Sequence, residues 1–288
     1  MRIAAFQTAA ILPDFSFELH DGERQRRRLP LSRHCVNRCG TGRQHDDRTG
    51  LERDTMILLI LAAGILTAAI LCGYTTIRLP VIRNDARKLH IACVGDSITY
   101  GCTLPLFFLF RYPARLQRMM GPDAQVATFG VNDRTLQNTG NKPFRKERAF
   151  EESKQFRPDT VVLLLGTNDS KSSNWRSAEA FRKEYLDLIG AYRTLPEKPC
   201  ILICTPPRAF QPVRRLFYLT NDADLSRIPE IAEIIRGIAS GEGLELVDLY
   251  ALTKDRRDLL GPDGLHLSAH GARAIAEEIR SHICPENR

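Results

Sequence analysis

The stretch "IACVGDSITYG", residues 91–101, decides the fold because it joins an apolar run to a group of polar residues. The apolar run is typical of a buried strand and ends at Gly95, and Asp96 and Ser97 follow at once. A serine in this place caps a helix or is a nucleophile held at the end of a strand. The second interpretation requires a base, an orienting acid and oxyanion donors elsewhere in the chain.

The chain after residue 88 alternates between strand-like and helix-like patterns. The apolar, strand-like runs cover residues 89–95, 124–130, 159–166, 200–205 and 244–249. Apolar stripes at helical spacing are Ile228, Ile231, Ile235 and Ile238, and Ala272, Ile275, Ala276, Ile279 and Ile283. This alternation predicts an α/β fold: a doubly wound, mostly parallel five-stranded sheet with helices on both faces, a flavodoxin-like α/β/α sandwich.

The composition is that of an ordinary globular protein. Of the 288 residues, 43% are hydrophobic and 26% are charged, and the net charge is +7. A nucleic-acid-binding protein would concentrate that charge in one basic patch containing aromatic residues, and no stretch has this pattern, so we predict no nucleic-acid partner. The eight cysteines include no CxxC pair, which disfavours a zinc ribbon. Cys93 and Cys204 lie in apolar runs and are predicted to be small core residues.

The N-terminal region differs from the rest of the chain. Residues 1–55 show no sustained periodicity, which predicts a disordered tail, or a misassigned extension if translation starts at Met56. Residues 56–77 carry no charge and are long enough to span a hydrocarbon core of about 30 Å, so we predict a single transmembrane anchor. A buried core helix and a cleaved signal segment are the alternatives. The protein would then be anchored in a membrane, with the side of the membrane undetermined, or secreted if the segment is cleaved. Residues 78–88 would be a linker, and residues 89–284 would be the folded domain.

Polar residues follow four of the predicted strands. They are Asp96-Ser97, Asn132-Asp133, Thr167-Asn168-Asp169, and, after a loop, Asp263 and His266. Ligands of open parallel sheets bind at the carboxyl ends of the strands, so we expect these side chains at one edge of the sheet. Each alone has an ordinary structural explanation, such as a helix cap or a turn. Together they bring a hydroxyl, an amide, acids and an imidazole to one place, which favours a catalytic site.

Four short motifs resemble the sequence blocks of the SGNH (GDSL-type) hydrolases. They are "GDSIT" (95–99), "FGVNDRTL" (129–136), "GTND" (166–169) and "DGLH" (263–266), in the family's order, and the resemblance covers about residues 89–283. The longer wording "GTNDSKSSNW" is similar to members that act on acetylated or otherwise acylated carbohydrates.

The resemblance implies a role for each residue. Ser97 would attack an acyl carbonyl, His266 would accept its proton, and Asp263 would orient the imidazole. The oxyanion donors would be the Ser97 N–H, a backbone N–H of the second block at Gly130 or Asp133, and the Asn168 side-chain amide. No metal and no organic cofactor is implied.

The second block departs from the family pattern, because Asp133 stands where glycine is usual. A backbone N–H survives this change, and aspartate tolerates positive φ better than most residues. A carboxylate facing a developing oxyanion would oppose catalysis. We therefore expect the Asp133 side chain to be turned away and to shape the loop.

These observations predict a serine esterase that removes a small acyl group such as acetyl from a small-molecule ester, with acylated carbohydrate as one substrate class. The alternatives are a lipid or thioester acylhydrolase of the same fold and a catalytically weak acyl-sugar binding protein. An α/β-hydrolase is disfavoured because Thr99 stands where G-x-S-x-G requires glycine. A metal site at Asp263, His266 and His270 is disfavoured because no HExxH motif occurs.

Overall fold

The computed structural model describes residues 47–71, 73, 87–213 and 223–283. Its strands are β1 (Leu89–Gly95), β2 (Ala124–Gly130), β3 (Thr160–Leu164), β4 (Cys200–Cys204) and β5 (Glu245–Val247). Its α-helices are α1 (Asp47–Leu71), α2 (Ser97–Tyr100), α3 (Phe107–Phe110), α4 (Tyr112–Met120), α5 (Arg148–Gln155), α6 (Ala178–Arg193), α7 (Arg227–Glu242), α8 (Leu249–Thr253) and α9 (Ala269–His282). Short 3₁₀ helices are Phe144–Lys146, Asn168–Ser170 and Arg257–Leu259.

The five strands form one sheet in the order β2-β1-β3-β4-β5, and every neighbouring pair is parallel. This is the flavodoxin-like order, with the switch in strand order between β1 and β3. The predicted five-stranded, doubly wound α/β sheet is therefore confirmed.

Two hydrophobic cores lie on opposite faces of the sheet. In β1, Ile91 and Cys93 belong to one core, and Ala92 and Val94 belong to the other. The apolar stripe of α9 packs in the first core, whereas most of the α7 stripe packs in the second. Because successive strand side chains point to opposite faces, near-continuous apolar strands need helices on both sides. Cys93 and Cys204 are fully buried in the first core, as predicted.

The predicted transmembrane helix is wrong: among the helices of the described residues, none combines the length and the apolar character needed to traverse a bilayer. Helix α1 covers Asp47–Leu71 and therefore contains residues 56–71 of the apolar run. Sixteen residues at 1.5 Å each extend about 24 Å, less than a hydrocarbon core of about 30 Å. Gly73 follows with a φ of 70°, a left-handed conformation typical of a helix end. Its carbonyl then accepts a hydrogen bond of 2.9 Å from the Asn132 side chain.

The other predictions for the N-terminal region fall mostly outside the described residues. The extension over residues 1–55 is described only from residue 47, and the linker over residues 78–88 only from residue 87. These boundaries and the cellular location stay predictions.

Glycines at the ends of β1 and β2 bring α2 close to the edge of the sheet. Gly95 and Gly130 are register partners, and α2 begins two residues after Gly95. A Cβ on Gly130 would lie 2.4 Å from the backbone nitrogen of Tyr100, and one on Gly95 would lie 2.4 Å from the Leu164 carbonyl oxygen. Both distances are shorter than van der Waals contact, so glycine is required for this approach.

We expect Gly130→Ala to destabilise the protein by about 3 kcal/mol, because the new methyl group meets backbone that cannot move aside. Chemical denaturation measures this change. The matched control is Gly190→Ala in the middle of α6, where an added Cβ meets nothing within 4 Å. That variant should be about 0.5–1 kcal/mol more stable than the wild type, because alanine loses less conformational entropy in a helix. Equal effects of the two substitutions would contradict the packing argument.

Candidate active site

Ser97 is the first residue of α2, directly beyond the end of β1. Asp96 caps this helix, and its Oδ1 accepts a hydrogen bond of 2.9 Å from the Ile98 N–H. The N–H of the first residue of a helix has no partner within the helix, so the Ser97 N–H is available to a ligand. Only 5% of Ser97 is exposed. The serine is therefore held rigidly, with its backbone donor at a helix start.

His266 lies in the loop before α9 and joins Ser97 to Asp263. Its Nε2 is 2.9 Å from the Ser97 Oγ, and its Nδ1 is 2.6 Å from the Asp263 Oδ2. The other carboxylate oxygen of Asp263 accepts the N–H groups of Leu265 and His266, each at 3.1 Å. Asp263 thus fixes both the imidazole of His266 and the backbone segment that carries this histidine. The structure brings together the three residues to which the sequence assigned nucleophile, base and acid.

Asp263 is suited to stabilise a positive imidazole. Burial raises the pKa of its carboxyl group, but the hydrogen bond and charge of His266 and the two backbone N–H bonds outweigh burial and hold the pKa below its usual value. The carboxylate is therefore ionised near neutral pH. A buried anion bonded to Nδ1 keeps the Nε2 lone pair directed at the serine hydroxyl.

The second block lies beside Ser97, and its two predicted donor positions differ in their surroundings. Gly130 packs against the backbone of α2, as described above. Asp133 has a φ of 63°, and its side chain is 55% exposed and 3.2 Å from the Lys142 Nζ. The carboxylate thus pairs with a lysine at the surface, and the loop keeps the left-handed conformation that glycine would favour.

Asn168 begins a 3₁₀ helix after β3, and its side chain is buried. Its Nδ2 donates to the Arg134 carbonyl oxygen at 3.1 Å and to the Asp96 Oδ2 at 3.3 Å. Both amide protons therefore have acceptors, and the bond to Asp96 is the longer one. An oxyanion beside Ser97 would compete with Asp96 for the second proton.

Asp96 is a site residue to which the sequence analysis gave no role. It is fully buried, and burial raises the pKa of its carboxyl group to about 7, although the Ile98 N–H bond lowers it. The position was visible in the "GDS" motif, but its contact with Asn168 joins segments 72 residues apart. No local pattern predicts such a contact.

Asp96→Asn should change how stability depends on pH. The folded-state pKa of about 7 lies above the ordinary value of 3.8, so the stability that this group contributes is present below about pH 4 and is lost as the pH rises through 7. Asp96→Asn has no ionisable group at this position, so its stability does not show this decrease with rising pH. Its melting temperature relative to wild type should therefore increase steadily between pH 4 and pH 8.

The control for this prediction is Asp224→Asn. The side-chain hydrogen bond from Ser226 holds the pKa of Asp224 below its ordinary value of 3.8, so its contribution is nearly constant above about pH 4. Its difference from wild type should stay flat over the same range. A flat difference for Asp96→Asn as well would show that Asp96 is ionised throughout.

His270 does not join this cluster. It lies in the first turn of α9 with 61% of its side chain exposed, and its Nδ1 is 3.3 Å from the Asp258 Oδ2. In the part of the chain that the structure describes, no group of three or more histidine, cysteine or acidic side chains is arranged to hold a metal ion.

The sequence blocks that build this site match a known family model. The description of that model is "GDSL-like Lipase/Acylhydrolase family", and it matches residues 93–274. The chain belongs to the GDSL-like lipase/acylhydrolase family. This confirms the resemblance stated from the four motifs, and it supports the prediction of a carboxylic ester hydrolase.

Relatives of this GDSL-like chain are esterases by name. It is 35% identical over 222 residues to an acetylxylan esterase of Xylanibacter ruminicola, an alignment that covers 71% of this chain and 45% of the relative. The chain thus spans about half the length of that protein. An aryl esterase of M. smegmatis has the same fold, with a TM-score of 0.54, 21% identity and coverage of 68% of this chain and all of that one. A carbohydrate acetylesterase family member from Sinorhizobium meliloti has a TM-score of 0.54 and 22% identity, and the match covers 67% of this chain and 96% of that one.

Proposed function

We propose that this protein is a serine esterase that hydrolyses small acyl esters, acetyl esters above all, through an acyl-enzyme. The observation that carries the proposal is the continuous row of hydrogen bonds from the Ser97 Oγ through His266 to Asp263. A serine hydroxyl is a weak nucleophile until a neighbouring base accepts its proton. His266 is within hydrogen-bond reach of that proton.

In the first half of the reaction, the Ser97 Oγ attacks the ester carbonyl carbon while His266 takes the hydroxyl proton. The carbonyl oxygen becomes an oxyanion, and Asp263 stabilises the positive imidazolium. Collapse of the intermediate breaks the bond to the alcohol, which leaves with the proton from His266. In the second half, His266 deprotonates a water molecule, which attacks the acyl carbon of the acyl-enzyme. The bond between that carbon and the Ser97 Oγ then breaks, His266 returns the proton to the Oγ, and the acid is released.

The oxyanion requires donors that are in place before the reaction. We assign this role to the Ser97 N–H, the Asp133 N–H and the Asn168 side-chain amide. The Ser97 N–H is free at the start of α2, and the Asn168 amide already lies beside Asp96. The carboxylate of Asp133 is exposed and paired with Lys142, so this residue does not place a negative charge against the oxyanion.

Acetylated carbohydrate is the substrate class that we favour. The relative with the highest sequence similarity among those described above is an acetylxylan esterase, and a solved structure with the same fold is a carbohydrate acetylesterase family member. A lipid acylhydrolase is the second candidate, because Phe108, Leu109 and Phe110 of α3 are 38–43% exposed and offer apolar surface.

A panel of esters tests the proposed function with the full-length protein. p-Nitrophenyl esters of two, four, eight and sixteen carbons are compared with acetylated xylo-oligosaccharides. We expect the acetate to have the highest kcat/KM among the aryl esters, together with release of acetate from the oligosaccharides. Values of kcat/KM that rise with chain length would favour the lipid acylhydrolase. Binding of the oligosaccharides without turnover would identify a binding protein instead.

A further inference from the structure

We propose that Arg134 is a positioning residue that aims two of the three oxyanion donors, one through its side chain and one through its backbone. The proposal rests on the proposed esterase function. Arg134 follows Asp133 directly, and its guanidinium and its carbonyl each contact a different part of the site. Neither contact follows from the residue's place in the sequence motif.

The first contact fixes the peptide unit that carries the Asp133 N–H. The Arg134 Nη1 donates a hydrogen bond of 2.6 Å to the carbonyl oxygen of Asn132. The described residues contain no cis peptide bond, so the C=O of Asn132 and the N–H of Asp133 point in opposite directions. Within the described part of the chain, the Asp133 N–H meets no acceptor. By holding the Asn132 carbonyl, the guanidinium therefore directs the Asp133 N–H, which is available as a donor, away from Arg134.

A fixed peptide is needed here because the conformation of Asp133 is unfavourable by itself. A φ of 63° is costly for a residue other than glycine and persists only where the surroundings impose it. The ion pair of Asp133 with Lys142 is about half exposed on both sides, and such pairs contribute little. The charge-assisted bond from Arg134 to the neighbouring carbonyl is the stronger constraint.

Arg134 is itself held by Glu147. The Glu147 Oε1 accepts from the Arg134 Nε at 2.9 Å and lies 2.7 Å from Nη2, and only about a fifth of either side chain is exposed. Two contacts to one carboxylate fix the plane of the guanidinium. The remaining Nη1 is therefore directed at the Asn132 carbonyl rather than free to rotate.

The second contact orients Asn168. Its Nδ2 donates to the Arg134 carbonyl oxygen at 3.1 Å, which fixes the direction of the amide plane. The neighbouring Asp169 accepts the N–H groups of Leu136 and Gln137, both at 2.8 Å, and so binds the loop to the 3₁₀ helix. The backbone of Arg134 is thus a rigid support for the second donor.

Arg134→Ala is the decisive variant. The oxyanion exists only in the transition state, so misaimed donors should lower kcat and leave ground-state binding nearly unchanged. We expect kcat to fall about 10–100-fold on p-nitrophenyl acetate, with KM changed less than about threefold. Arg134→Lys keeps the positive charge but loses the planar guanidinium group, so its kcat should lie between those of wild type and Arg134→Ala. The matched control is Arg148→Ala, which removes an exposed arginine paired with Glu152 and should leave both constants unchanged.

Two further measurements separate positioning from simple loss of structure. Phenylboronic acid forms a tetrahedral adduct with the serine, so its inhibition constant should rise in parallel with the loss in kcat/KM. Added guanidinium ion should restore part of the kcat of Arg134→Ala, whereas a general loss of folding would not respond to it. If Arg134→Ala is poorly folded, Glu147→Gln weakens the same support and should lower kcat several-fold at constant KM.

The outcomes distinguish this proposal from the proposed function. An active wild type with an Arg134→Ala variant that retains its kcat would overturn the positioning role alone. A rise in KM at constant kcat would also overturn it, since that result indicates substrate binding. A wild type that hydrolyses no ester would overturn the proposed function, and the role of Arg134 with it.

Discussion

Ser97→Ala is expected to lower kcat by at least about 10⁴-fold while the melting temperature changes by no more than a few degrees. The chemical reason is that no other group within reach of His266 replaces the Oγ, and loss of a triad nucleophile costs several orders of magnitude. The structural reason is that the hydroxyl contacts the imidazole at 2.9 Å and lies at a helix start, so its removal leaves no large cavity. A fluorophosphonate should label the wild type at Ser97 and leave the variant unlabelled.

Ser153→Ala is the matched control for this prediction. Ser153 is also buried, and its hydroxyl donates to the Phe150 carbonyl and lies 2.6 Å from the Tyr192 hydroxyl. Its loss should cost about 1–3 kcal/mol of stability, because a buried hydroxyl of Tyr192 loses its partner, and should leave kcat unchanged. Retained turnover in Ser97→Ala, or labelling at another serine, would refute the assignment of the nucleophile.

His266→Ala is expected to lower kcat about as much as Ser97→Ala does. The imidazole is the contact that joins the hydroxyl to Asp263, so removing it leaves the serine without a base. The double variant Ser97→Ala, His266→Ala should be no slower than either single variant, because residues that act as one unit are not additive. Steady-state hydrolysis of p-nitrophenyl acetate measures all three rates.

The control for the base is His270→Ala, which removes an exposed histidine four residues along the chain. This variant should keep its kcat within about twofold of wild type. Equal losses for the two histidines, or strong inhibition by a chelator that zinc reverses, would support a metal site at Asp263, His266 and His270 instead.

The sheet and the triad were predictable from the sequence because both depend on local patterns. Strand ends are visible where apolar runs stop, and parallel strands bring those ends to one edge. Ser97, Asp263 and His266 therefore needed only their place after β1 and β5 to be brought together. The donors around the oxyanion were less predictable. The contacts of Asn168 with Asp96 and Arg134 join residues 72 and 34 positions apart, and their geometry depends on how three loops pack.

The error over the transmembrane helix has a physical cause as well. The absence of charge from residue 56 to residue 77 indicates an apolar segment, but it does not indicate where a helix within that segment ends. Gly73 was a stop signal within that run, and the structure shows it in a left-handed conformation after α1 ends at Leu71. Apolar composition predicts a membrane span only where the helix continues through it.

The two groups that exchange the serine proton are 169 residues apart in the chain. A ribosome adds about 5–20 residues each second, so roughly 8–34 s separate the synthesis of Ser97 from that of His266. During that interval the nascent chain has its nucleophile but no base. A nascent chain that has not yet reached His266 therefore lacks the base that efficient ester cleavage requires. Reaction of Ser97 with a fluorophosphonate accordingly reports that translation has passed His266 and that both ends of the domain have met.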